Sequence, residues 1–255
     1  MITRSELAEV ARTKRLSERN AERDYLIELA LYSASEFGRA LVLRGGTALY
    51  KFYSLNRFSE ELDFTIGSRR FSADDLMGVI VRDAGNIGIV AKVEEVAAYK
   101  EEINAKIVCR GPLYDGSRRS MARITLNLSK RERPLLMEKR ILVSSYKEIP
   151  AFEAYVLSPR EILAEKVRAV MQRNKPREVY DLWLLLRRGE VIDFDTIRRK
   201  LKATSLRWDP AGFYRSLEKN RGMWRRDLKD LVIGDLQEFD HVLAEIHDAF
   251  ERQAR

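Results

Sequence analysis

The sequence predicts an α+β protein, with a mixed sheet and helices in its N-terminal half and a helical C-terminal half. An apolar run at Leu41–Leu43, a glycine pair and an alternating segment ending at Ile66 form a strand–turn–helix–strand unit. Further strand-like runs lie between residues 88 and 146, and from Pro159 onward apolar residues recur at helical spacing. We therefore expect an α/β domain over residues 1–150 and a helical domain over 151–255.

Composition indicates a soluble protein with a highly charged surface. The 255 residues include 47 Lys or Arg against 39 Asp or Glu, a net charge of +8. That excess attracts polyanions such as nucleic acid or nucleotides, although interleaved acids and bases are equally typical of an ordinary solvated surface. The single cysteine, Cys109, excludes an internal disulfide or a cysteine-based zinc site. Without a membrane-length apolar run or a signal-peptide core, we expect a cytoplasmic location.

The remaining elements follow from local signals. Ser5 can start a first helix, and a second follows before Gly38. Ser72 can cap another helix, with Asp75 in the capping-box position. The predicted strands that follow, in a largely antiparallel arrangement, are Gly88–Val96, Ile103–Cys109, Ala122–Leu128 and Arg140–Tyr146.

The C-terminal half is predicted to be helical. Pro159 and Pro176 stand at helix starts, where proline is favoured, and Gly189 ends the second of these helices. More helices follow, the last over roughly 235–251. We expect the join at 150–158 to be a boundary between sub-domains.

A glycine turn is the first candidate for chemistry. Gly45 and Gly46 directly precede a predicted helix that Thr47 can cap. Glycines let a phosphate approach the backbone, and free N–H groups at a helix start bind anions. Taken alone, however, most such turns are plain connectors.

Two carboxylates on one predicted strand are the second candidate. Glu61 and Asp63 point to the same side of the strand, and Leu62, Phe64 and Ile66 point to the other. Paired like charges are tolerated when a cation lies between them. Alone, the pair would fit an ordinary edge strand.

Two charged positions on C-terminal helices complete the set. Lys166 lies beside an apolar stripe, so its ammonium either reaches solvent or supplies positive charge to a phosphate site. Arg177 and Asp181 have the i,i+4 spacing of an ordinary helix salt bridge.

Together these segments resemble a known family. The stretch GGTALYKFYSLNRFSEELDF resembles the GG-(T/S)-x-L … R-F-S-x-D-h-D signature of polymerase-β-like nucleotidyltransferases, in particular the AbiEii/AbiGii toxin branch. That branch also carries an E-K helix and an R-x-x-Y-D-L helix, matched here by Glu165-Lys166 and Arg177–Leu182. The resemblance covers roughly residues 35–190, with the motifs in the same order.

The resemblance implies a polymerase-β-like core that transfers a nucleotide from an NTP in the presence of Mg²⁺ or Mn²⁺. Lys166 would stabilise phosphate charge, and Asp181 would position Lys166 or the base, or assist proton transfer. Glu61 and Asp63 would hold the metal. The residues implied in nucleotide binding are Gly45, Gly46, Thr47, Arg57, Ser59 and Lys166.

The sequence departs from the family pattern at two positions. Glu61 stands where the family usually has Asp, and its longer side chain displaces the oxygens that a metal would meet. On the strand Ile124–Ser129, Asn127 takes the place of a third carboxylate; its amide oxygen can bind a metal but cannot act as a base.

These departures leave three hypotheses open. The first is an active toxin that modifies an RNA, such as tRNA, or a protein hydroxyl, and pairs with a cognate antitoxin. The second is a non-catalytic member that binds a nucleotide, RNA or protein. The third is a kinase-type phosphotransferase using the same site.

Overall fold

The computed structural model describes residues 1–253, and these divide into two compact units. The first unit comprises Met1–Ala48 and Ser59–Val156, and the second comprises Leu49–Phe58 and the chain from Leu157 onward. The chain therefore crosses between the units after Ala48, after Phe58 and after Val156, whereas the sequence suggested one boundary at residue 150. No helix within residues 1–253 is long and apolar enough to cross a membrane.

Within the described residues, the first unit contains a seven-stranded mixed sheet in the order β3-β4-β5-β2-β1-β7-β6. The strands are β1 (Leu41–Arg44), β2 (Glu61–Ile66), β3 (Val90–Ala98), β4 (Glu102–Arg110), β5 (Ala122–Ser129), β6 (Met137–Leu142) and β7 (Phe152–Leu157). The β3–β4, β4–β5 and β1–β2 pairs are antiparallel, but β2–β5 and β1–β7 are parallel. The expected mixed sheet is confirmed; its two parallel pairs were not anticipated.

Strand β7 is the main element that the sequence reading missed. It occupies the segment expected to be a sub-domain boundary, and it lies parallel to β1. Phe152, Ala154 and Val156 are buried at alternate positions, as in a strand with one face on a core, and Leu157 at the end of the strand is buried as well. Strand β6 also ends earlier than expected, at Leu142. Tyr146 lies beyond it, buried, and its hydroxyl donates to the carbonyl of Ala21.

Helices of the first unit begin at clear capping residues. They are α1 (Arg4–Lys14), α2 (Glu18–Ser35) and α4 (Ala73–Asn86). Thr3, not Ser5, caps α1, through a reciprocal capping box with Glu6. Ser72 caps α4 as predicted, accepting a hydrogen bond from the Asp75 N–H.

The second unit is helical, as predicted. Its helices are α5 (Pro159–Gln172), α6 (Pro176–Arg187), α7 (Phe194–Lys202), α8 (Pro210–Glu218), α9 (Trp224–Leu228) and α10 (Phe239–Gln253). Pro159 and Pro176 are confirmed as helix starts. Gly189 follows the end of α6 with a φ of +82°, a left-handed conformation that favours glycine.

Segment Leu49–Phe58 belongs to the helical unit although it lies early in the sequence. Helix α3 (Gly45–Phe52) carries the chain into it. The Phe58 N–H donates to the Leu231 carbonyl at 2.8 Å, and the Tyr180 hydroxyl donates to Asn56 Oδ1 at 2.9 Å. These contacts join residues more than 120 positions apart, so no local pattern predicts them.

Candidate active site

Strand β2 displays Glu61 and Asp63 on one face, as the alternation predicted. Leu62 and Phe64 are buried on the opposite face, which fixes the register of the strand. Both carboxylate residues are partly exposed. Burial of the apolar face of β2 therefore places the two acids on the accessible face of the sheet in the first unit.

Asp63 lies between two polar neighbours on adjacent strands. It is paired in register with Arg44 of β1 and with Asn127 of β5. Because paired residues share a face of the sheet, all three side chains lie on the side that carries Glu61. The Asn127 amide Nδ2 donates a hydrogen bond to Asp63 Oδ1 at 3.0 Å. Asn127 thus orients the Asp63 carboxylate.

The turn before α3 approaches the same carboxylate. Gly45 has a φ of +72°, a conformation that side chains other than glycine rarely adopt. A Cβ atom at this position would lie 3.0 Å from Asp63 Oδ2. Glycine is therefore required here both by the backbone conformation and by the close approach of Asp63.

Thr47 does not cap α3, contrary to the sequence prediction. The helix begins at Gly45, so Thr47 is its third residue, and its side chain is completely buried. Its hydroxyl donates to the Glu61 carbonyl at 2.5 Å and lies 3.0 Å from Ser59 Oγ. Thr47 therefore ties the start of α3 to the start of β2, which aligns the glycine turn with the two acids.

The donor set fits a hard divalent cation that retains other ligands. Glu61 and Asp63 offer carboxylate oxygens, which Mg²⁺ and Mn²⁺ prefer. Within residues 1–253, no group of three or more His, Cys, Asp or Glu residues could hold a metal ion. Mg²⁺ commonly binds to one or two carboxylates and completes its shell with water and substrate phosphate, so the pair suffices for that kind of site.

The other predicted residues form a buried ionic network in the second unit. Lys166 Nζ lies 2.7 Å from Asp181 Oδ2 and 2.7 Å from Glu178 Oε2. Arg57 donates from Nε and Nη2 to the two Asp181 oxygens, at 2.9 Å each. All four side chains are at most 7% exposed. We call Arg57, Lys166, Glu178 and Asp181 the α5–α6 network.

Ionisation in this network is strongly coupled. Burial by itself would lower the pKa of Lys166, but the carboxylates of Asp181 and Glu178 outweigh it and raise that pKa above its usual value. Burial would likewise raise the pKa of Glu178, yet Lys166 and Arg173 lower it. Arg57, Lys166 and Glu178 are therefore charged at neutral pH.

The predicted site residues thus fall into two groups, one in each unit. Gly45, Gly46, Thr47, Ser59, Glu61, Asp63 and Asn127 belong to the first unit, and Arg57, Lys166 and Asp181 to the second. Sequence reasoning did not select Arg44 or Glu178. Arg44 could have been noticed as the single charge ending an apolar strand, and Glu178 as the acid that directly follows Arg177 in the R-x-x-Y-D-L match.

A carboxylate pair on a central strand, beside a glycine turn that opens a helix, defines a site suited to metal-assisted chemistry on phosphates. A family model described as nucleotidyl transferase AbiEii toxin, Type IV TA system, matches residues 29–245. The chain therefore belongs to the AbiEii nucleotidyltransferase toxin family, which confirms the resemblance seen in the sequence.

Solved structures show the same fold. MenT4, a nucleotidyltransferase toxin from Mycobacterium tuberculosis H37Rv, is 19% identical, with a TM-score of 0.66 over 100% of this chain and 90% of that one. JHP933 from Helicobacter pylori is 19% identical, with a TM-score of 0.62 over 94% of this chain and 96% of that one. No curated protein matches the sequence.

Proposed function

We propose that this chain transfers a nucleoside monophosphate from an NTP to an RNA acceptor of the tRNA type, with a protein hydroxyl as the alternative acceptor. The observation that carries the proposal is the arrangement of Asp63, which shares its strand face with Glu61 and lies against the Gly45 turn. Membership of a nucleotidyltransferase toxin family supports the reaction class. The net charge of +8 favours a polyanionic acceptor.

The glycine turn supplies the phosphate contacts. The backbone N–H groups at the start of α3 lack intrahelical acceptors, so Gly45 and Gly46 can donate to phosphate oxygens. The Ser59 hydroxyl lies next to Thr47 and adds a further polar group. Since Thr47 is buried and already donates to the Glu61 carbonyl, we assign it the role of fixing the turn.

Glu61 and Asp63 hold the metal ion in this proposal, and Asn127 keeps Asp63 oriented through its 3.0 Å hydrogen bond. When bound, Mg²⁺ or Mn²⁺ neutralises phosphate charge and orients the attacking oxygen. Asn127 was predicted as a further metal ligand; its amide donates to Asp63, which favours the positioning role. Such a site works by positioning and counter-charge.

The α5–α6 network holds two buried cations, Arg57 and Lys166, against two carboxylates. Lys166 is proposed to stabilise phosphate charge, and the 2.7 Å contact with Asp181 supports the positioning role predicted for that acid. Arg57 was predicted to contact the nucleotide. Its guanidinium donates to both Asp181 oxygens and to the Phe58 carbonyl, so we assign it to fixing Asp181.

A second function, nucleotide binding without transfer, is favoured by one observation. Asn127 places an uncharged amide beside Asp63, in the position where the resemblance implies a third carboxylate. This site would have one less negative charge to attract a second metal ion. Family membership supports an NTP ligand and a cognate antitoxin in either case.

Incubation with each α-labelled NTP, total tRNA and Mg²⁺ or Mn²⁺ tests the proposal. We expect label on RNA from the wild-type chain and none from Asp63→Ala. Asp195→Ala is the matched control, because its carboxylate is exposed on α7 of the second unit, and it should retain transfer. Equal labelling by Asp63→Ala would refute the proposed site. Nucleotide binding without any transfer would establish the second function.

A further inference from the structure

Strand β6 forms one edge of the sheet and exposes apolar side chains. Among the described residues, β7 is its only neighbouring strand in the sheet order. Met137 and Ile141 lie on the same face of the strand, and Ile141 is 65% exposed. The flanking residues Leu135 and Val143 are also exposed, at 44% and 78%. A strand at the edge of a sheet that exposes apolar side chains is a template for pairing with another strand.

The sequence of this edge is complementary to itself. Residues 135–143 read LLMEKRILV, with Lys139 at the centre. When two copies lie antiparallel about a two-fold axis at Lys139, Met137 faces Ile141 and Glu138 faces Arg140. Each of these pairs occurs twice, because a two-fold interface presents the same patch from both partners. Apolar residues meet apolar residues, and each acid meets a base.

The central lysine does not oppose this arrangement. Lys139 would lie opposite its own copy, but its ammonium forms an ion pair with Glu153 of the neighbouring strand β7. Within one chain, Glu138 and Arg140 already pair at 2.7 Å, so both ions are held near the edge. When two copies pair, Glu138 of one copy can pair with Arg140 of the other instead of Arg140 of its own chain. Each of these charges then keeps a partner of opposite sign.

The opposite edge of the sheet shows what a protected edge looks like. Strand β3 is interrupted by a register shift between Val93 and Glu95, and bulges of this kind discourage strand addition. Strand β6 instead carries one acid, Glu138, followed by two bases, Lys139 and Arg140.

We propose that β6 is a homodimer interface, at which a second copy of this chain adds its own β6 antiparallel, with Lys139 on the two-fold axis. The two sheets then join into one continuous sheet. The proposal does not depend on the nucleotidyl-transfer chemistry, since the candidate site lies on the central strand β2 and the interface lies on the edge strand β6.

Sedimentation equilibrium of the full chain tests the interface. We expect a mass twice that of the 29.7 kDa chain, with a Kd below about 100 µM. Ile141→Lys should weaken the dimer at least about tenfold, whereas Val90→Lys, at a 60% exposed position on β3, should not. Glu138→Arg should weaken it, and addition of Arg140→Glu should restore it. A monomeric wild type, or failure of the double variant to recover, would overturn the proposal.

Disulfide trapping tests the register independently of affinity. Facing Cα atoms in an antiparallel pair lie about 4.5–5.5 Å apart, within disulfide range. Lys139→Cys should therefore crosslink to its own copy on oxidation, whereas Val143→Cys should not. The native Cys109 is buried, and burial raises its pKa to about 12, so it does not compete. Equal crosslinking of both variants would contradict the register.

Discussion

Replacement of Asp181 by asparagine tests the α5–α6 network with little change in side-chain volume. Asp181 is fully buried and accepts hydrogen bonds from Arg57 at 2.9 Å, with Lys166 Nζ at 2.7 Å. The variant leaves two buried cations sharing the remaining carboxylate of Glu178. Removal of one partner of a buried ion pair typically costs about 3–5 kcal/mol, because a charge is left uncompensated.

That loss is large enough to measure directly. For a chain of this size, 1 kcal/mol shifts Tm by about 2–4 °C, so Asp181→Asn should lower Tm by roughly 10 °C. Differential scanning calorimetry and urea unfolding both measure the effect. Asp195→Asn is the control, since its 3.0 Å pair with Arg198 is exposed and should contribute little. A Tm within about 2 °C of the wild type would refute the structural role of the network.

Three further predictions address the two units. Gly45→Ala should lose NTP binding, because its Cβ would meet Asp63 Oδ2, and about 1–2 kcal/mol of stability from its φ of +72°. Gly116→Ala is the control, because Gly116 has a φ of +98° with open space around it. It should lose a similar amount of stability, but calorimetric titration should show unchanged NTP binding. An equal loss of NTP binding in both variants would contradict this role of Gly45. Asn127→Asp should increase the rise in Tm caused by Mn²⁺, because a carboxylate replaces the amide beside Asp63. If Mn²⁺ binds about tenfold more tightly, the free energy of unfolding at saturating Mn²⁺ rises by about 1.4 kcal/mol. An unchanged Mn²⁺ response would place the metal elsewhere. The pKa of Glu178 is lower in the folded state than its ordinary value of 4.5, so its stabilisation is complete above that pH and is lost as the pH falls below it. Glu178→Gln should therefore flatten the acid limb of a urea-unfolding pH profile, and a wild-type slope would argue against this ion pair.

Elements with strong local signals were predictable from the sequence. The alternation of Glu61 to Ile66 specified both the strand and the face that carries the acids, and the structure has this strand as β2. Pro159, Pro176 and Ser72 marked helix starts, since each acts within one helical turn. The resemblance added the correct family, because its motifs lie in sequence order across the chain.

Features that depend on contacts between residues distant in sequence could not be predicted. Strand β7 was missed because six residues after a proline give too short an alternation to distinguish a strand from a connection. The sequence predicts Thr47 as a helix cap, since no local pattern shows that its hydroxyl reaches the carbonyl of Glu61, fourteen residues away. Glu178 was overlooked because its partner Lys166 lies on another helix.

The fate of the γ-phosphate gives the most direct test of nucleotidyl transfer at Asp63. Wild-type protein is supplied with γ-labelled NTP, tRNA and Mn²⁺, and the labelled products are separated, with Asp63→Asn alongside. We expect labelled pyrophosphate in the same amount as the nucleotide added to RNA, and neither product from Asp63→Asn. Label on RNA or on the protein itself would show a kinase-type reaction, and undiminished pyrophosphate release by Asp63→Asn would contradict the assignment of the site.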